Sequence, residues 1–214
     1  ENPKYIMVLL HASYSSAEEF IHWFQCLSYY GVKVIAPDQP GCGNTPGKPH
    51  PTNSSNNFNK GGPCDIVLSL IESLKITQKI FIGGYDWGAG VALSLCTKYK
   101  IFEKAVIFLP SYSDPTGNDL KLINIPVLIL WIDLDQFHIW NKWKSNAQKI
   151  PNKTIEILKI KAYSRDIACS CYSGCSDQMM RPIVMHLGFP DPLLDKEDLV
   201  EQVIVEKVDT TGKT

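Results

Sequence analysis

No apolar run in this 214-residue chain reaches the roughly 18 residues that a membrane-crossing helix needs. An excess of one charge is missing too: 21 Lys and Arg stand against 22 Asp and Glu, a formal charge of −1. Such a balance leaves neither the basic footprint of a nucleic-acid binder nor an acidic tail, so neither nucleic acid nor a membrane is expected as a partner. The opening residues ENPKYIMVLLHAS lack the basic flank and small-residue cleavage site of a secretory signal, which makes a cytoplasmic location the expectation. Seven Cys, an odd number, do not form a closed secreted disulfide framework. Without secretion, the glycosylation patterns at Asn53-Ser54-Ser55 and Asn152-Lys153-Thr154 mean little. The cluster Cys169, Cys171 and Cys175 lacks the paired C-x-x-C spacing and the fourth ligand of a structural zinc site. Free thiols are the expected state of these cysteines, and no metal or cofactor is expected.

What the chain does have is an ordinary apolar fraction of 44%. At this length a fold buries roughly 70% of its unfolded surface and needs no staple. One domain over residues 1–214 is expected. Apolar runs of strand length alternate with longer helical patterns. Strands are expected near 5–10, 33–36, 79–84, 104–109, 126–131 and 154–160. Helical spacing covers 17–29, 65–74, 87–99, 139–150 and 195–208. Residues 39–62, rich in Gly, Pro, Asn and Ser, read as one long loop. Strands this apolar, each flanked by helices, require a mostly parallel sheet of about six strands covered on both faces, a doubly wound α/β domain.

The strongest local signal is Gly84-Tyr85-Asp86-Trp87-Gly88, which follows a strand and opens a helix. It has the G-x-Nu-x-G form of a nucleophile elbow, with Asp as the central residue. Small flanks are needed because the turn is strained and a Cβ there would meet neighbouring backbone. The amide groups of the following helix also favour a negative charge at this place. From this motif alone, a capping Asp in a Gly-rich turn is the alternative.

Three further segments lie in order around it. Val8-Leu9-Leu10-His11-Ala12-Ser13 and Ala36-Pro37-Asp38-Gln39-Pro40-Gly41-Cys42-Gly43 precede the turn, and Pro126-Val127-Leu128-Ile129-Leu130-Trp131-Ile132-Asp133-Leu134-Asp135 follows it. Together the four resemble the α/β-hydrolase family over nearly the whole chain, and they are similar to its "LLHG", "APDLPGFGRS", "GHDWGG" and "PVLILWGEKD" segments. The Asp version of the elbow resembles that of epoxide hydrolases and haloalkane dehalogenases. The resemblance implies an α/β-hydrolase fold, Asp86 as nucleophile, Asp135 as the acid that orients a histidine, and an oxyanion hole from the N–H of Trp87 with that of Ala12 or Ser13. Asp114, after the preceding strand, is a second candidate for the orienting acid. His11 is expected to anchor its loop by hydrogen bonds.

This chain departs from the family pattern in several places. Ala12 stands where the loop has Gly, and Tyr85 where the elbow has His. Residues 110–125 leave no room for the helical cap domain inserted there in the epoxide hydrolases. No His follows the last strand directly. Met185-His186-Leu187-Gly188-Phe189-Pro190 is similar to the family's "GHFPHL", so His186 is expected to complete the order Asp86, Asp135, His186, with 161–182 as an insertion. A His that caps or packs near the last helix is the alternative. His138, close to Asp135 and expected to be solvated, is the fallback.

An Asp nucleophile dictates its chemistry. Attack on an acyl carbon would give a mixed anhydride, whereas attack on an alkyl carbon gives an ester that activated water cleaves. The reading is a hydrolase of a small organic substrate. The rival is an inactive α/β-hydrolase-like scaffold that binds a ligand or partner. A Ser hydrolase built on Ser13 or Ser94 is disfavoured, because neither lies in an elbow. Substrate and oligomeric state are not legible. Metal analysis of the purified protein is expected to find no stoichiometric zinc, and a chelator to leave its melting temperature unchanged; one zinc per chain, lost on changing Cys169, Cys171 and Cys175, would overturn the free-thiol reading.

Overall fold

The computed structural model describes residues 3–47, 62–111, 119–132, 138–158 and 175–191. Six strands form one sheet: β1 (Tyr5–Leu10), β2 (Val32–Ile35), β3 (Lys79–Tyr85), β4 (Phe102–Phe108), β5 (Val127–Ile132) and β6 (Lys153–Leu158). Their spatial order is β2-β1-β3-β4-β5-β6, and every adjacent pair is parallel. Each strand lies within two residues of its expected position. A parallel sheet covered on both faces needs strands without a polar side. The central strands satisfy this, since all six residues of β5 and five of six in β1 are buried. β6, at the sheet edge, instead alternates half-buried and exposed positions over its first four residues, and only Leu158 is buried.

The helices are α1 (Ile21–Tyr29), entered through a 3-10 turn at Ala17–Phe20, then α2 (Pro63–Ser73), α3 (Trp87–Lys98), α4 (Trp140–Lys149) and α5 (Cys175–Leu187). Pro63 stands in the first turn of α2, where its missing N–H costs nothing. Trp23, Trp131 and Trp143 are buried to 2% exposure or less and fill the space between sheet and helices. Residues 109–126 join β4 to β5, too few for a cap domain, and their described part holds only a 3-10 turn at Asp119–Leu122.

α5 begins within the expected insertion over 161–182 and runs past it to Leu187. Met179, Met180, Ile183, Val184 and Leu187 are buried along one side, a helical spacing. Pro182 lies inside the helix and masks that pattern in the sequence, since proline normally ends a helix. The helix closes with the Gly188 N–H donating to Met185 O (3.0 Å) and the Phe189 N–H to Val184 O (3.1 Å). Gly188, at φ +95°, takes the left-handed position of that cap. The expected helix at 195–208 and most of the loop at 39–62 lie outside the described residues.

The chain lays β2 on one side of β1 and β3 on the other. The crevice outside the carboxyl ends of β1 and β3 is therefore the topological switch point, where open α/β sheets place their sites. Close packing of α3 against the β1 loop defines that crevice: a Cβ on Gly88 would overlap the carbonyl oxygen of Leu10, and one on Gly84 the backbone of Gly88. Gly88→Ala is accordingly expected to destabilise the fold by about 3 kcal/mol, the upper range for forced overpacking, read as a lower urea midpoint. An unchanged midpoint would show that the two backbones do not touch.

Candidate active site

Asp86 sits between the last residue of β3 and the first of α3, with φ 51° and ψ −114°. A non-glycine residue in this region is strained, and such strain persists only where the surroundings over-determine it. Three backbone hydrogen bonds do so here. The Asp86 N–H donates to Phe108 O (3.1 Å), and Asp86 O accepts from Ser111 N–H (3.2 Å) and Gly90 N–H (3.4 Å).

Both carboxylate oxygens of Asp86 are held. Oδ2 accepts the Ser13 N–H at 3.1 Å, and Oδ1 lies 3.2 Å from Nε2 of His138. The pair is largely enclosed, with side chains 18% and 10% exposed for Asp86 and His138. Burial alone would raise the carboxyl pKa of Asp86. The His138 hydrogen bond and charge, with the backbone and hydroxyl of Ser13, outweigh it and hold the group below its ordinary value. Asp86 is thus kept ionised. The Tyr85 ring, buried against Phe108, also stands 6.0 Å from the His138 ring.

Ser13 is presented by a tied loop. The Gln39 N–H donates to Nε2 of His11 (2.9 Å), so Nδ1 carries the proton and donates to Ala12 O (2.8 Å). The Gln39 side-chain amide donates to His11 O (3.2 Å), which joins the loops after β1 and β2. Burial lowers the His11 pKa against the opposing Ala12 carbonyl and the Asp38 charge, consistent with a neutral ring. Asp38 fixes the second loop by accepting the N–H groups of Ala17 (2.7 Å) and Asn44 (2.8 Å), which hold its carboxyl below the usual range.

The structure separates the expected residues into those it brings together and those it does not. Of the two oxyanion donors considered beside Trp87, only Ser13 points at Asp86. The Ala12 N–H donates to Glu19 Oε2 at 2.8 Å and is spoken for. Trp87, as the first residue of α3, stands at the helix amino end beside Asp86. Ser94 is buried within α3. Asp135 and the alternative Asp114 lie outside the described residues, as do Cys169 and Cys171.

His186 is the main correction. It occupies the last turn of α5, where its carbonyl accepts the Lys104 ammonium at 2.6 Å, and its ring faces Ala105 and Pro126. Ala105 is the middle residue of β4 and Pro126 comes just before β5, so the ring stands on the amino side of the residues that hold Asp86. The resemblance to a "GH" loop came from residues that are a helix end and its glycine cap. His138, expected to be solvated, is enclosed and on Asp86. Glu19 was missed by the sequence reading. Its signal is the Ser16-x-x-Glu19 spacing, which puts a carboxylate in a first helical turn beside the β1 loop.

With this geometry in view, comparison with known proteins places the chain. Residues 5–122 match the model of the alpha/beta hydrolase fold family, and the chain belongs to it. An epoxide hydrolase 2 of Siraitia grosvenorii is 37% identical over 88 residues, 41% of this chain and 26% of that protein, so the match spans about a quarter of the relative's length. A CIB-like hydrolase of Thermoplasma acidophilum superposes with a TM-score of 0.72 at 18% identity, covering 87% of each chain. The monoacylglycerol lipase of Paleococcus ferrophilus gives 0.68 at 18% identity, with 84% of this chain and 92% of that one covered. A bromoperoxidase of Bacillus anthracis gives 0.69 at 15% identity, over 85% and 91%. At such identities these structures share the fold.

His186 carries a stability consequence in place of a catalytic one. Burial first, then the Lys104 ammonium, push its pKa from 6.5 down to about 4, against the Ala105 and Pro126 carbonyls. The unfolded chain therefore takes up this proton near 6.5 while the folded one waits until about 4. The contribution is full above pH 6.5 and is lost as the pH falls toward 4. Denaturation midpoints of His186→Gln are expected to fall less over that window than those of the unsubstituted protein; parallel profiles would refute the linkage.

Proposed function

We propose that this chain is a hydrolase of small organic substrates in which Asp86 attacks an alkyl carbon and His138 activates the water that releases the product. The observation that carries the proposal is the pair of contacts on one strained carboxylate, Ser13 N–H on Oδ2 and His138 Nε2 on Oδ1. In this reading the turn at Asp86 is a nucleophile elbow. Oδ1 forms the new C–O bond while the substrate's leaving group departs with its electron pair. Oδ2 then becomes the ester carbonyl oxygen, already facing the Ser13 N–H. Water attacks Cγ of Asp86 and gives its proton to His138, and charge collects on Oδ2, where Ser13 and Trp87 N–H groups would stabilise it. Collapse expels the product alkoxide, which takes the proton from His138, and the Asp86 carboxyl, now holding one oxygen from water, loses its remaining proton to solvent or to the departed leaving group and returns as a carboxylate. Asp135 and Asp114 remain the candidates for the acid that orients His138. The similarity to an epoxide hydrolase over 88 residues supports an alkyl rather than an acyl substrate.

A scaffold that binds without turnover is the second reading. The observation that favours it is the short link 109–126, which is too short for a cap domain that would close over a substrate. One experiment divides the two. His138→Gln, offered an aryl epoxide or a primary bromoalkane, is expected to accumulate a covalent adduct on Asp86 by intact mass, with turnover down about 10²–10⁴-fold. Asp86→Ala is expected to stay folded and form no adduct. Turnover that survives Asp86→Ala would end the nucleophile reading, and no adduct or turnover with any alkyl substrate would favour the scaffold.

A further inference from the structure

The near-zero charge of the whole chain conceals a local excess of lysine at the amino edge of the sheet. Three consecutive segments lead into the neighbouring strands β3, β4 and β5, and each presents a large apolar side chain beside an exposed lysine. They are Leu74-Lys75, Lys100-Ile101 and Lys121-Leu122, with Leu74 50%, Ile101 44% and Leu122 58% exposed. Adjacent strands lie roughly 5 Å apart, so the three pairs form a row along the amino edge of the sheet. Over residues 72–79, 98–104 and 119–126 six lysines stand against three acids, Glu72, Glu103 and Asp119. Lys79 and Glu103 pair with each other at 3.3 Å and Lys104 donates to His186 O, so the excess rests on the other four lysines, Lys75, Lys98, Lys100 and Lys121, against Glu72 and Asp119.

Lys75 adds an independent observation. α2 ends with the Lys75 N–H donating to Glu72 O (3.0 Å) and the Ile76 N–H to Ile71 O (3.5 Å). This is the same cap that Gly188 gives α5, and Lys75 holds its left-handed position at φ 51°. Glycine is the unstrained choice there. A lysine at this place costs stability without a described contact to offset it.

We propose that this amino edge docks on the surface of an anionic lipid bilayer, with the lysines near the headgroups and Leu74, Ile101 and Leu122 entering the interface. Lysine with interleaved apolar side chains suits a lipid interface, where each cation near the surface adds affinity and apolar groups insert. A nucleic acid would be better met by arginine's planar fork, and these segments hold none. Docking of this kind needs no spanning helix, and no described helix is long and apolar enough to cross a membrane. Asp86 lies at the far end of the strands, roughly 20 Å away. The proposal is independent of the reaction assigned to that site.

The test is co-sedimentation of the full 214-residue chain with vesicles of phosphatidylcholine alone and with about 30% phosphatidylserine. Binding is expected only to the anionic vesicles, and release at about 0.5 M salt, where screening is short-ranged. Lys75→Glu, Lys100→Glu and Lys121→Glu together are expected to weaken binding roughly hundredfold. Lys75→Gly keeps the test valid should that triple variant unfold: it is expected to raise the melting temperature while weakening vesicle binding about fivefold. No binding to anionic vesicles at low salt, equal binding to neutral ones, unchanged binding by Lys75→Gly, or retention on RNA but not vesicles would each overturn the proposal.

Discussion

The close approach of α3 to the loop after β1 is the contact on which the site depends. Gly88 lets the first turn of α3 press against the carbonyls of Leu10 and His11, and Gly84 lets the chain reverse beneath it. With a side chain at either position the two segments would stand apart. The Ser13 N–H would then no longer reach the Asp86 carboxylate. The strain at Asp86, φ 51°, follows from the same geometry: a strand must turn into a helix within one residue, and hydrogen bonds from three directions hold it there.

Around that contact the polar groups are arranged so that few have a choice of partner. His11 accepts with one nitrogen and donates with the other, which joins two loops and leaves the ring no role in proton transfer. Glu19 takes the Ala12 N–H, so the loop offers Asp86 the next amide along, that of Ser13. A carboxylate so buried would ordinarily rise in pKa. Its partners reverse the direction and hold the group below its ordinary value.

The fold was legible because parallel strands buried on both faces leave continuous apolar runs, as in Tyr5–Leu10 and Val127–Ile132. The turn at Asp86 was legible because its geometry tolerates only small flanks. The histidine was not. Which histidine meets a carboxylate is decided by where a loop carries it in space, and sequence order constrains that weakly. His186 had the better neighbours along the chain, but its Gly188 is a helix cap and its helix carries it to the amino side of the residues that hold Asp86. Pro182 added to the misreading by interrupting a helix whose buried face, Met179, Met180, Ile183 and Leu187, was otherwise regular.

The two ends of the sheet also differ in what they can do. Helices here run antiparallel to the strands, so helix amino ends converge on the carboxyl end of the sheet and helix carboxyl ends on the other. The first arrangement favours anions, and Asp86 stands at the start of α3; the second favours cations, and Lys104 donates to the His186 carbonyl in the last turn of α5. Lys75, Lys100 and Lys121 follow the same polarity. A total charge near zero therefore hides a local excess of lysine at one edge of the sheet. Composition averages over this excess, and only the topology of the sheet resolves it.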